Sequence, residues 1–101
     1  MQQSRKELKT LKAAARAGDA DAARQLLAHS IALGHYRLSV RRYFAAVVLG
    51  AQDLDRFRPF CRSVVRQIGP DQVAIMAREA VLQPSLNISN ASEWDLIAAI
   101  L

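Results

Sequence analysis

Four glycines, Gly18, Gly34, Gly50 and Gly69, stand 16, 16 and 19 residues apart, and each follows a run with helical hydrophobic periodicity. Glycine is the usual residue just past a helix end, because it reaches the left-handed conformation without a Cβ clash. Spaced this evenly, the glycines predict a ladder of helix stops with helices of about four turns between them. The expected fold is all-α: five main antiparallel helices plus a short C-terminal helix, stacked as consecutive hairpins in a bundle or short solenoid. A chain of 101 residues, 51% of them hydrophobic, suits a single domain with one continuous core.

Ser4 and Glu7 form a capping box ahead of a first helix over about 5–17, with Leu8, Leu11 and Ala15 on its buried stripe. Asp19 or Asp21 caps a second helix, whose stripe is Ala23, Leu26, Leu27, Ser30, Ile31 and Gly34, with His29 on the outer side. The third helix, about 36–49, has no polar side in its second half, which places it at the centre of the stack. Asp53 or Asp55 starts the fourth, with Leu54, Phe57, Cys61, Val64, Val65 and Ile68 facing inward and Arg58, Arg62 and Arg66 outward. Gly69-Pro70-Asp71 opens the fifth, about 70–82, with Val73, Met76, Ala77 and Ala80 inward. Residues 84–90 read as an extended linker to a terminal helix over 91–101. Asn90 and Glu93 form its cap-like pair, and Trp94, Ile97, Ala98 and Leu101 line one face. That helix is too apolar to float free, so it docks on its own body or on another chain.

Charge is distributed unevenly. Residues 1–66 hold thirteen of the fourteen Lys and Arg against five acids, a surplus of +8, whereas 67–101 carry −3. Such asymmetry fits a basic surface for an acidic partner, or a tail that neutralises its own body. The longest apolar run, 44–51, is far short of the roughly 20 residues that span a bilayer, and the first twelve residues lack the apolar stretch of a secretory signal. A lone cysteine cannot form an internal disulfide. The expectation is a cytoplasmic protein with no membrane contact.

Superposed on itself at an offset of 32, the chain pairs Gly18 with Gly50, Asp21 with Asp53, Arg24 with Arg56, and Ala13-Ala14 with Ala45-Ala46. Residues 19–66 resemble a tetratricopeptide or Sel1-like helical hairpin, with small Ala28 in one helix and aromatic Phe44 sixteen residues later in the next. Val40 and Val47 depart from the alanines that family prefers, and no proline follows the second helix of the pair. The resemblance implies a scaffold presenting a groove to a protein or peptide, with no chemistry of its own.

Catalytic readings are weak. Cys61 with His29 or His35 has the residue types of a thiolate and its base, but Cys61 sits in an apolar stripe, where a thiol stays protonated. No Cys or His pair has metal-ligand spacing, and Asp19/Asp21 and Asp53/Asp55 are explained by helix N-termini. The expectation is therefore no enzyme, no cofactor and no metal. The remaining candidates form a binding surface: Lys9, Lys12 and Arg16 on the first helix, Arg41 and Arg42 on the third, Arg58, Arg62 and Arg66 on the fourth, and Trp94, Leu96 and Ile100 as apolar anchors at the end. The function expected is a small adaptor or regulatory subunit binding an acidic protein, with a homodimer through the terminal helix as a further possibility. The alternative is a nucleic-acid-binding regulator using the same arginines.

Overall fold

The computed structural model describes residues 5–82 and 93–101. Among the described residues six α-helices follow one another: α1 (Arg5–Arg16), α2 (Ala20–Ala32), α3 (Tyr36–Val48), α4 (Arg58–Ile68), α5 (Pro70–Val81) and α6 (Glu93–Ile100), with a 3₁₀ turn at Asp55–Phe57. Among the described residues there is no strand, and the fold is an all-α helical stack.

The glycine ladder acts through its backbone. Gly18, Gly34 and Gly50 all have positive φ. In each case the next residue's N–H reaches back five positions, Asp19 to Ala14, His35 to Ser30 and Ala51 to Ala46, at 2.9 to 3.0 Å. This is the Schellman closure, which satisfies carbonyls the helix leaves without partners. Its recurrence every 16 residues is the sequence period expressed as hydrogen bonds. Gly69 (φ 89°) serves differently, ending α4 and beginning α5 at the same residue.

Asp19 caps α2, its side chain accepting from the Ala22 N–H at 3.1 Å. The α2 stripe is buried at Ala23, Leu26, Leu27 and Ser30, with Ala22 added, while Ile31, Gly34 and His29 are half-buried. α3 lies at the centre as expected, packing against α2, α4, α5 and α6, with Val40, Phe44 and Ala46 fully enclosed. All four inward residues of α5 are buried. α1 packs on α2 and α2 on α3, whereas α3, α4, α5 and α6 all pack against one another.

Three local expectations are corrected. Leu8, Leu11 and Ala15 are only half-buried and α1 has no buried residue, because it packs chiefly on α2 at the end of the stack. Neither Asp53 nor Asp55 starts α4. Asp53 has φ 59° in the preceding loop, Asp55 opens the 3₁₀ turn, and α4 begins at Arg58 with Pro59 in its first turn, where a missing N–H costs little. The 32-residue correspondence therefore weakens after Gly50, since Asp21 sits in a helix and Asp53 does not. On α6 the buried residues are Leu96 and Ile100, with Ile97 and Ala99 half-buried, while Trp94 is 78% and Leu101 61% exposed. Ser4, Asn90 and the 84–90 linker lie outside the described residues.

Candidate functional site

α1, α2, α3 and α5 leave a cleft of about 320 Å³ between them. Ala15, Ala23, Ala45 and Ala80 make room for it, because a small side chain on each of four helices leaves the space unfilled. Leu26, Leu38, Leu49 and Met76 supply the rest of an apolar floor. Around it stand four cations, Lys12 and Arg16 from α1 and Arg41 and Arg42 from α3, against one acid, Glu79 of α5.

The cations are held in different ways. Arg42 donates to the Leu26 carbonyl at 2.9 Å and is half-buried, and that burial lowers its pKa from the usual arginine range. It is thus fixed in place by the backbone of α2. Arg41 pairs with Glu79 across the α3–α5 seam, both side chains being 49% exposed. Lys12 and Arg16 are exposed and form no ion pair with any described residue. Two more open hollows, about 400 and 530 Å³, flank α1 near Leu11 and Leu8, but α1 supplies nearly all of their walls. Lys9 borders the second of these and not the cleft.

The α4 arginines lie elsewhere, and the expected single outward row divides. Arg58 pairs with Asp55 at 3.4 Å, and Arg66 is exposed in the last turn of α4. Arg62 is turned to an internal task, its Nε donating to the Ile100 carbonyl at 3.2 Å. The apolar anchors divide as well. Leu96 and Ile100 have no solvent exposure and cannot meet a partner while α6 is docked, which leaves Trp94 alone accessible.

Cys61 is fully buried in the core, and that burial pushes its thiol pKa up to about 12. Its Sγ donates weakly to the Ser39 carbonyl at 3.9 Å, next to the buried Ser30 and Ser39 hydroxyls that lie 3.2 Å apart at the α2–α3 seam. Ser30 donates to the Leu27 carbonyl, and Ser39 donates to the His35 carbonyl at 2.7 Å and, over the longer distance, to the Ser30 hydroxyl. Among the described residues no group of His, Cys, Asp and Glu has the arrangement of a metal site, and no helix is long and apolar enough to cross a membrane.

Sequence reasoning named all four cations of the cleft as candidates but neither Glu79 nor the residues of the apolar floor, of which Leu26 and Met76 were read only as inward-facing. A hint was present in the alanines, which recur on α1, α2, α3 and α5, but their convergence on one cleft depends on α3 and α5 being neighbours. No protein-family model, no curated protein and no solved structure matches this chain.

Proposed function

We propose that the protein is a non-enzymatic interaction module that receives an acidic segment of another protein in the cleft between α1, α2, α3 and α5. The observation that carries this reading is the pairing of an apolar floor with a rim of four cations and one acid. Apolar residues of the incoming segment would fill the space left by the alanines, while its carboxylates meet Lys12, Arg16, Arg41 and Arg42. Charge complementarity of this kind contributes on-rate and orientation, and the apolar contact contributes affinity. The hairpin succession over residues 19–66, with its tetratricopeptide or Sel1-like character, belongs to the same proposal. A phosphate backbone has no use for an apolar floor, and the division of the basic residues between the cleft and α4 supports a protein partner over a nucleic acid.

The test is an NMR titration of isotopically labelled protein with a synthetic peptide of leucine and glutamate at helical spacing, run beside generic duplex DNA. Shifts concentrated at Arg16, Leu38, Arg41, Ala45 and Glu79, and lost in the K12E/R16E variant, are expected. Shifts spread evenly over the surface, or tighter binding of the duplex with steep loss on added salt, would overturn it.

A further inference from the structure

The cleft contains an unequal set of cations and a single acid placed against one of them. Arg42 is committed to the Leu26 carbonyl and does not depend on a ligand for its position. Arg41, its neighbour in the chain, is instead covered by Glu79 of α5. Both partners of that pair are half-exposed, and ion pairs in such surroundings contribute little to stability because water competes for both charges. The Glu79 carboxylate therefore occupies Arg41 at small energetic cost and is easily exchanged. Within the cleft it occupies Nη1 of Arg41, one of the donors that a carboxylate of an incoming chain would use.

Resting on the docking reading above, we propose that Glu79 is a resident competitor: an acidic protein segment binds by replacing the Glu79 carboxylate at Arg41. Glu79 then sets a threshold for entry. A segment with a carboxylate to offer Arg41 compensates for the broken pair, whereas an apolar or basic one loses the pair and gains nothing, so discrimination arises from the cost imposed on the wrong ligand. Lys12 and Arg16, which have no such competitor among the described residues, provide the initial attraction.

The experiment is a double-mutant cycle on the full chain, with affinity for the fluorescein-labelled leucine/glutamate peptide read by anisotropy for wild type, E79Q, R41Q and E79Q/R41Q. Replacement at Arg41 predicts that E79Q tightens binding by up to about fivefold, which corresponds to about 1 kcal/mol at about 1.4 kcal/mol per tenfold. It also predicts that the same substitution gains nothing once Arg41 is Gln. If E79Q helps equally in both backgrounds, Glu79 is a general repulsive charge and not a competitor for Arg41, and the proposal is overturned. It is overturned equally if E79Q leaves affinity unchanged. K12E/R16E keeps the two failures apart: its loss of binding sustains the docking reading whatever Glu79 does, and a peptide that binds this variant as well as wild type overturns the reading itself.

Discussion

The Nε of Arg62 donates a hydrogen bond to the main-chain carbonyl of Ile100 at 3.2 Å, joining α4 to the last turn of α6 across 38 residues of chain. Helix ends leave their final carbonyls without intrahelical partners, and a cation there also meets the negative end of the helix dipole. Tyr43 acts beside it, its hydroxyl donating to the Ala99 carbonyl at 3.2 Å. An arginine that looks like part of an outer basic row is in fact a clamp on the terminal helix.

Arg62→Ala should therefore destabilise the fold by about 1 to 2 kcal/mol, because a hydrogen bond from a charged donor is lost and a half-buried carbonyl is left without it. Equilibrium denaturation checks this. A change below about 0.5 kcal/mol would return Arg62 to the solvent face on which its spacing along α4 placed it.

Within α6, Leu96→Ala should cost about 2 to 5 kcal/mol and Trp94→Ala about 0.5 or less, since Leu96 has no exposure and Trp94 is 78% exposed. Equal costs in thermal melts would mean that the helix presents its other face to the body.

Phe44 lies fully buried at the middle of α3, among core residues from α2, α4, α5 and α6. Its truncation to alanine should cost about 3 to 5 kcal/mol, the usual range for an aromatic removed from a core that cannot collapse around the void. Denaturant titration would contradict the central position of α3 if the loss were under about 1 kcal/mol.

Gly34→Ala isolates the backbone term. A Cβ built at Gly34 would meet nothing within 4 Å, so crowding is absent and only its φ of 73° opposes a side chain. A loss of about 1 to 2 kcal/mol is expected in the same denaturant titration, from the left-handed conformation alone. An unchanged midpoint would show that the Schellman closure has relaxed at no cost.

The thiol of Cys61 supplies a pH signature. Burial raises its pKa from the ordinary thiol value of 9.0 to about 12, so the folded protein holds the proton more tightly than the unfolded chain. Its contribution is complete below pH 9 and should be lost progressively as pH rises from 9 toward 12. Comparing wild type with Cys61→Ser across that range reads the difference. The native thiol should also resist thiol reagents at pH 8 and react after denaturation. Rapid labelling of the folded protein would place Cys61 at the surface.

What could be read from residues alone was local. The left-handed glycines, the Asp19 cap and the inward stripe of α5 each depend on a few neighbouring positions, and short-range sterics and periodicity are sufficient to specify them. The α4 start was misplaced because Asp53 and Asp55 have the composition of a cap, while a 3₁₀ turn and Pro59 move the first α-helical turn to Arg58. The buried face of α6 is hard to read because six of its eight positions are apolar and its two acids both lie in the first turn, a pattern with too little contrast to choose a side.

Tertiary structure alone decided how the charges are used. Arg62 with Ile100 and Arg41 with Glu79 are each separated by 38 residues, a distance over which no helical period can be read. Their meeting depends on α4 and α5 both packing beside α3 and on α6 folding back over them. Sequence thus determined where the rods begin and end and which of them are amphipathic, because those properties reside in single turns. Packing determined which cations are committed to the protein's own backbone and which remain around an open cleft, because that depends on which helices become neighbours.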